Sequence, residues 1–244
     1  MVHPDREAIR RLRSTLKTFS PLFDPDQASK LDTELDWFAG LLGHVRDLDI
    51  LRARLARQVA ELPSEDVLGP VAADIDKVLL TDRSQRRTHV AEAMNGQRYQ
   101  QLLQLLEEWR TNPPFTKQAR QPAVNLGRYV AAAEKKLNKR LHHAGDDVEA
   151  LDQARKAGKR YRYAVELSLP VVGKKATKAI KTAKKLQTLL GEHQDSVVSA
   201  TFLRSQGAAA GVNPDQNGFT YGLLLAQERA QAEHIRKTIR RRTK

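Results

Sequence analysis

The amino-acid sequence predicts an all-α protein made of two similar halves. Apolar residues recur at helical spacing between prolines and glycines, and no segment shows the alternation typical of a β-strand. A shift of about 149 residues brings two basic stretches into register, 3–13 with Pro21 behind it and 152–162 with Pro170 behind it. Internal similarity of this kind indicates a duplicated structural unit. Because each half has few residues with which to bury a core of its own, we expect one domain rather than two.

Four helices are predicted in the first half of the chain. The first spans about 5–20, with Pro4 in a favourable first-turn position. A long second helix runs from about 27 to 60, and two prolines after it prevent its continuation. The third and fourth occupy about 71–95 and 98–111, and the fourth ends at an Asn-Pro-Pro sequence.

Four more helices are predicted in the second half. The fifth covers 117–143 and is closed by a Gly-Asp-Asp turn. The sixth spans about 148–168 and is expected to stop before Pro170. The seventh covers 174–206, where a Gly- and Ala-rich turn begins, and the last covers about 216–240.

The repeat defines the expected domain organisation. We predict a single domain over 1–244, with repeat one at about 1–112 and repeat two at about 115–244. The helix at 117–143 precedes the second basic stretch, so its counterpart in the first copy would lie before residue 1. We therefore expect that repeat one lacks its N-terminal helix and that the chain is a piece of a longer protein.

Composition narrows the class of partner. The formal net charge is +13 and the pI is about 10.1, which favours a polyanion over a neutral metabolite. The sequence has no cysteine, which excludes disulfides, thiol catalysis and cysteine-ligated metals. It contains no apolar run near the roughly 18 residues needed to suggest a membrane span, and no secretory leader. We expect a cytoplasmic protein with no membrane partner.

Basic residues recur at helical spacing in four rows. The first basic row is Arg6, Arg10, Arg13 and Lys17, which border an apolar stripe on the same helix. Like charges at this spacing cost about 0.2–0.5 kcal/mol per pair, and 13 cations have no matching acid in the composition. A linear phosphate polymer would relieve several rows at once. The second row is Arg155, Lys159 and Arg162 with Tyr163 beside it; the third is Arg128, Lys135, Lys139 and His142; the fourth is Lys174, Lys178, Lys181 and Lys185.

A Leu-Leu-Gly-x-x-x-Asp motif occurs twice within predicted helices. Glycine inside a helix costs about 1 kcal/mol relative to alanine, so we expect close helix packing at Gly43 and Gly191. We expect Asp47 and Asp195 to orient basic side chains of neighbouring helices rather than to act in catalysis.

Together these motifs resemble the conserved-histidine α-helical domain, the CHAD family. The resemblance rests on four segments in this order along the chain, each weak alone and specific together. They are His3-x-x-Arg6-x-x-x-Arg10-Arg11-x-Arg13, Leu42-Gly43-x-x-Arg46-Asp47-x-Asp49, Arg155-x-x-x-Lys159-Arg160-x-Arg162-Tyr163 and Leu190-Gly191-x-His193-x-Asp195. Two departures from the family pattern are visible. Asp152 stands where the second copy should open with histidine. Pro4 follows His3, which leaves three readings open for His3: a helix cap, a merely exposed side chain or a ligand contact.

The resemblance implies two pseudo-symmetric helical-bundle repeats of four-helix type that enclose a basic cavity or pore. It also implies binding of inorganic polyphosphate, association with polyphosphate granules and fusion to an upstream triphosphate-tunnel domain. By carry-over, the residues facing the polyanion are His3, Arg6, Arg10, Arg13, Arg155, Lys159, Arg162 and His193. The basic rows and motifs add Lys17, Arg46, Arg128, Lys135, Lys139, His142, Tyr163, Lys178, Lys181 and Lys185 as polyphosphate-binding residues.

Two other functions remain open from the sequence. The charge also permits RNA or DNA binding, although few aromatic residues are available to stack on bases and no nucleic-acid motif is evident. An enzyme of phosphate metabolism is less favoured, because no G-x-x-x-x-G-K-[ST] loop and no carboxylate cluster suited to two metals is found. We expect a non-catalytic protein with no catalytic residues, no metal site and no cofactor.

Overall fold

The computed structural model describes the backbone of residues 2–213 and 216–243. Within these ranges the side chains of 2–5, 124, 172, 174–175 and 242–243 are not described.

The described residues form α-helices joined by short turns, and the predicted all-α fold class is confirmed. No β-strand occurs within the two described ranges. Phe23 and Phe115 form an isolated antiparallel β-bridge that is not part of a strand. The helices are α1 (Val2–Thr18), α2 (Pro25–Ala60), α3 (Val71–Asn95), α4 (Gln97–Thr111), α5 (Leu126–Ala144), α6 (Val148–Val172), α7 (Lys174–Val212) and α8 (Phe219–Thr243).

Helix starts follow the duplication seen in the sequence. Helices α1, α2 and α3 begin at Val2, Pro25 and Val71. Their counterparts in the second half, α6, α7 and α8, begin at Val148, Lys174 and Phe219. These spacings agree with an offset of about 149 residues. A symmetry relation between the two repeats stays a prediction.

Three predicted helix boundaries are wrong. The segment 117–125 forms two 3-10 turns instead of the start of α5, because Pro122 forces the preceding Gln121 into an extended conformation. Helix α6 continues through Pro170 for two more residues and ends at Val172, because the fixed φ of proline is itself helical and less than one turn follows it. Gly173, with φ 68°, comes directly after the helix and ends it. Helix α7 continues past residue 206 to Val212, at a cost of about 1 kcal/mol for each glycine it includes.

Contacts divide the chain into two compact units. Unit 1 comprises Met1–Gly43 and Thr88–Thr188, and unit 2 comprises His44–Arg87 and Leu189–Lys244. Each unit therefore draws on both predicted repeats. The prediction of one domain with repeats at 1–112 and 115–244 stays a prediction.

In unit 1, α6 packs against both α1 and α5. Asp147 caps the N-terminus of α6 by accepting hydrogen bonds from the backbone N–H groups of Glu149 and Ala150 at 2.8 and 3.2 Å. Small and apolar residues of α6 are buried, including Ala154 and Ala157, and Leu137 and Leu141 of α5 are buried as well. This packing lets α1 and α6 bring their basic rows together.

Unit 2 has a separate aliphatic core. Leu55 of α2, Leu79 of α3, Leu203 of α7 and Leu224 of α8 are almost fully buried in one cluster. Thr220 connects the start of α8 to the turn before α3, accepting from the N–H of Leu68 at 2.9 Å and donating to the carbonyl oxygen of Asp66 at 2.7 Å.

Candidate functional site

The first and second basic rows meet between α1 and α6. We call Arg6 and Arg10 of α1 with Arg155 and Lys159 of α6 the Lys159 cluster. The positive charges of all three arginines act on Lys159. Arg6 corresponds to Arg155, and Arg10 to Lys159, at the repeat offset. The cluster therefore unites equivalent positions from both sequence copies within unit 1.

Lys159 is held in an environment that disfavours its charge. Burial, followed by the charges of Arg155, Arg10 and Arg6, lowers the pKa of Lys159 from 10.5 to about 8. Asp152 acts in the opposite direction but is already engaged, by Arg155 at 2.7 Å and by Lys156 at 2.7 Å. Among the described residues, no carboxylate lies within ion-pair distance of Lys159. A bound anion would remove this unfavourable charge environment.

The C-terminal part of the first basic row is held by acids of α2. Arg13 donates to Asp32 at 2.9 Å and also to Asp36, and Lys17 lies 3.0 Å from the other oxygen of Asp32. Burial opposes the charge on Arg13, but its hydrogen bonds and the charges of both aspartates outweigh that effect and raise its pKa. These two cations therefore also fasten α1 to α2.

Arg162 of the second row belongs to a network of opposite charges. It donates to Glu166 at 3.2 Å and lies 3.5 Å from Glu7 of α1. Its guanidinium carbon lies 4.5 Å from the ring centroid of Tyr163, whose hydroxyl donates to Glu7 at 3.1 Å. Burial, then the charge of Glu7, raises the pKa of Tyr163, which is 5% exposed. Tyr163 therefore helps to join α6 to α1.

Unit 2 contains a buried ion pair that the sequence did not reveal. Arg54 donates to both oxygens of Glu228, at 2.5 and 2.7 Å, and to Ser196 at 2.8 Å. Glu228 is fully buried. The hydrogen bonds that Arg54 donates to Glu228 are the main cause of its raised pKa, with smaller contributions from the charges of Glu228, Asp195 and Glu192. Asp195 of α7 adds its negative charge near Arg54, but the hydrogen bonds of Arg54 go to Glu228 and Ser196, so the expected role of Asp195 in orienting a basic side chain stays a prediction.

The structure describes the side chain of His193, one of the two histidines in the family motifs, but only the backbone of the other, His3. His193 is 1% exposed in unit 2, where burial, then the charge of Arg236, lowers its pKa and favours the neutral ring. Its Nε2 atom is buried and has no hydrogen-bond partner among the described atoms. The backbone of His3 lies within α1, so His3 is not the cap of this helix, and its side chain lies outside the described residues. Polyanion contact by either histidine stays a prediction.

Comparison with known proteins places this arrangement in a family. The CHAD domain family model matches residues 1–204. The chain belongs to the CHAD domain family. Two uncharacterized proteins of Mycobacterium tuberculosis, MT2285 and Rv2226, are each 32% identical over 249 aligned residues, covering 98% of this chain and 46% of theirs. This CHAD chain thus spans about half the length of these relatives.

Solved structures share the fold. The CHAD domain from the plant Ricinus communis is 27% identical, with a TM-score of 0.72 over 98% of this chain and 81% of that one. PptA from Streptomyces chartreusis has a TM-score of 0.82 over 97% of this chain and 86% of that one, at 21% identity, which shows likeness of fold alone.

The described side chains of the third and fourth rows of this CHAD domain lie on the surface of unit 1. Lys135, Lys139 and His142 border an open hollow of about 600 Å³ along α5. Lys178 borders a groove of about 320 Å³ between α5, α6 and α7, where Tyr161 donates to Glu134 at 2.9 Å. Lys181 and Lys185 are exposed farther along α7, Arg128 is exposed beside Tyr129, and Lys174 has no described side chain. These residues do not belong to the Lys159 cluster, and Arg46 lies in unit 2.

The glycines of the repeated motif have different surroundings. A methyl group at Gly43 would lie 3.5 Å from a guanidinium nitrogen of Arg6, an ordinary contact, so Gly43 is covered by a member of the Lys159 cluster. A methyl group at Gly191 would meet no atom of the described residues within 4 Å. The expectation of close packing at Gly191 is therefore wrong.

Arg160 is a cation that the sequence argument did not select. Burial, then the charges of Arg140 and Arg13, lowers its pKa, and Asp32 opposes this effect. Its position beside Lys159 in the Lys-Arg-x-Arg motif was a signal that could have identified it.

In the described part of the chain, no three His, Asp or Glu side chains gather closely enough to hold a metal ion. No helix among the described residues has the length and hydropathy to cross a membrane.

Proposed function

We propose that this CHAD domain binds inorganic polyphosphate without catalysing its conversion, and that the Lys159 cluster is the centre of the binding site. The observation that carries the proposal is the gathering of basic residues from both sequence copies around a lysine that has no carboxylate partner among the described residues. Family membership supports the choice of ligand, because CHAD domains are associated with polyphosphate.

The chemistry of the cluster suits a phosphate chain. Arginine presents planar pairs of N–H donors that match two phosphate oxygens, whereas lysine offers a compact charge. A polymer carries anionic oxygens on successive phosphates, so that one chain reaches several cations that a single small anion cannot span. Binding would also relieve the repulsion that the arginines impose on Lys159.

The direct test is a titration with size-fractionated polyphosphate at two salt concentrations, with pyrophosphate and RNA in parallel. We expect the affinity to rise with the length of the polyphosphate chain. We also expect it to fall steeply as the salt concentration rises, by analogy with the binding of nucleic acids to proteins. Equal affinity for pyrophosphate and long chains, or preference for RNA in competition, would contradict the proposal.

A charge-matched pair of variants tests the location of the site. Lys159→Gln removes a cation of the cluster, and Lys77→Gln removes an exposed cation of α3 in unit 2. A charge-assisted contact contributes about 1.5–3 kcal/mol, so Lys159→Gln should weaken binding about 10-fold or more and reduce the salt slope by about 1. Lys77→Gln should do neither. Equal effects of the two substitutions would show that only net charge matters.

The biological task belongs to the same proposal. The relatives are about twice as long as this chain, which leaves room in them for a further domain. The resemblance to the CHAD family implies that this further domain is an upstream triphosphate-tunnel domain. Such a partner would use this domain to hold its phosphate polymer or to reach polyphosphate granules in the cytoplasm. Retention of granule localisation by Lys159→Gln would contradict this task.

A further inference from the structure

The positive charge of the chain is concentrated in two helical segments of unit 1 that lie outside the Lys159 cluster. Helix α5 contains five lysines and arginines and one acid, and residues 174–188 of α7 contain six lysines and no acid. These two segments therefore supply ten of the thirteen excess positive charges of the chain. We propose that the groove between them is a docking site for an acidic amphipathic helix of a partner protein.

The groove combines an apolar lining with polar side chains at its edge. It lies between α5, α6 and α7, has a volume of about 320 Å³, and is lined in part by Leu137 and Leu186. Glu134 and Asn138 line both this groove and the open hollow of about 600 Å³ along α5. The groove and the hollow are therefore continuous, and together they form one long depression on the surface of unit 1.

Lysines border this depression on both helices at helical spacing. Lys178, Lys181 and Lys185 follow one another at i, i+3 and i+7 along α7. Lys135 and Lys139 lie at i and i+4 along α5. All five side chains are exposed, and among the described residues no carboxylate lies within ion-pair distance of them. We call the groove with these five lysines the lysine groove.

The acid inside the lysine groove is already engaged. Tyr161 donates to Glu134 at 2.9 Å. Burial, followed by this hydrogen bond and the charge of Glu134, raises the pKa of Tyr161 to about 12, so its hydroxyl stays protonated and keeps donating at neutral pH. Glu134 therefore makes no direct ion pair with the bordering lysines, and their charges are available to acids of another molecule.

An acidic amphipathic helix matches both features of the lysine groove. The apolar stripe of such a helix would cover the apolar lining, and acids on its two flanks would reach the lysines of α5 and α7. Charged residues recur once per turn, about every 5.4 Å, on the bordering helices, which is also the repeat of acids along the flank of a docked helix.

Other anionic partners fit this surface less well. A phosphate polymer has no apolar group for the lining, and lysine lacks the planar pair of N–H donors that arginine offers to phosphate oxygens. RNA binds through stacking on aromatic side chains, whereas Tyr161 of this groove is only 7% exposed. A membrane-surface helix inserts large apolar side chains, and the described side chains of α5 and of residues 176–188 include none that are exposed.

The test uses the 244-residue chain and a fluorescent synthetic peptide of about four helical turns. The peptide has leucines at i, i+3, i+4 and i+7 and glutamates on both sides of that stripe. Two control peptides have the same net charge: one carries the same residues in scrambled order, and the other has glutamine in place of leucine. By fluorescence anisotropy, the amphipathic peptide should bind about 10-fold more tightly than either control, and its affinity should fall as the salt concentration rises.

A charge-matched pair of double variants tests the location. Lys178→Gln with Lys185→Gln removes two cations of the lysine groove, and Lys30→Gln with Lys117→Gln removes two exposed cations elsewhere in unit 1. An exposed ion pair changes an affinity by up to about 5-fold. The first variant should therefore weaken binding of the amphipathic peptide about 5-fold or more, and the second less than about 2-fold. Unchanged thermal unfolding of both variants shows that the fold is kept.

The outcomes separate the parts of the proposal. Equal affinity for the amphipathic and scrambled peptides would show that only charge is recognised and would refute helix docking. Equal losses in the two double variants would refute the location. Tighter binding of RNA, or of vesicles that contain phosphatidylserine, than of the peptide would refute the class of partner. The titration contains no polyphosphate, so a failure of polyphosphate binding would overturn the proposed function and leave the docking site standing.

Discussion

Replacing Lys159 by methionine should stabilise the fold at neutral pH. The substitution keeps an unbranched side chain and removes the ammonium group that burial and three arginines disfavour. The pKa falls from 10.5 in an ordinary lysine to about 8 in the folded chain, which corresponds to about 3 kcal/mol at pH 7. Lys159→Met should raise the free energy of unfolding by an amount of this order.

The pH dependence follows from linkage between folding and proton binding. Because the folded pKa is below the unfolded value, the unfolded chain binds more protons between pH 8 and 10.5, and wild-type stability gains over this window as pH rises. The penalty at Lys159 is therefore fully present below pH 8. It should fall from about 3 kcal/mol at pH 7 to about 1.5 kcal/mol at pH 9.5.

Urea unfolding followed by circular dichroism at these two pH values measures the effect. The difference between variant and wild type cancels the titration of the tyrosines, which are common to both proteins. Lys156→Met is the matched control; because Lys156 is half exposed and paired with Asp152, its substitution should change stability by less than about 1 kcal/mol. A destabilised Lys159→Met protein, or a stability difference that does not shrink as pH rises, would refute this reasoning.

Three further predictions address other parts of the molecule. Long-chain polyphosphate should restore the charge of Lys159, so the protein should take up about 0.7 proton when it binds the polymer at pH 8.5. Calorimetry in buffers of different ionisation enthalpy measures this uptake, and a value of zero would exclude Lys159 from the site. Gly191→Ala should stabilise the fold by about 1 kcal/mol, whereas Gly207→Ala should gain less or destabilise, because its methyl group would lie 3.1 Å from Cβ of Tyr221; equal changes in urea midpoint would contradict the packing difference. Glu228→Gln should cost about 3–5 kcal/mol, since Arg54 would keep its charge without its buried carboxylate partner, and thermal unfolding within 2 °C of wild type would disprove this.

The sequence predicted the helical class and most helix positions because the responsible signals are local. Apolar spacing and proline positions place α3 and α4 within a residue of their observed bounds. The errors occur where a local signal has two outcomes. Pro122 breaks the segment before α5, whereas Pro170 lies in the last turn of α6 and is accommodated there. Nothing in the sequence alone distinguishes these positions, since the outcome depends on where each helix ends.

The candidate site was only partly predictable, for a different reason. Helical spacing places Arg10 and Lys159 on the faces of their helices, and the duplication suggests that these faces are related. Which cations have carboxylate partners depends on contacts between distant segments, such as that of Arg13 with Asp32. The Arg54–Glu228 pair joins residues of α2 and α8, so no pattern within either helix could reveal it.

The positions of acidic residues explain why the two ends of the first and second basic rows differ in role. One end makes ion pairs that hold helices together, and the other end is the proposed binding site. In the later turns, Arg13 and Arg162 make ion pairs with residues of α2, α1 and α6, and these pairs hold the helices in place. In the earlier turns, the charges of three arginines act on Lys159, which has no acid within ion-pair distance among the described residues, while Arg155 is paired with Asp152. If every cation of the rows were paired with a carboxylate, the rows would attract an anion only weakly. If no ion pairs held the helices in place, the cations could move apart and the local positive charge would fall. The combination places strain at Lys159 and support one turn beyond it, so an anion that enters the cluster finds positioned donors and relieves an existing repulsion.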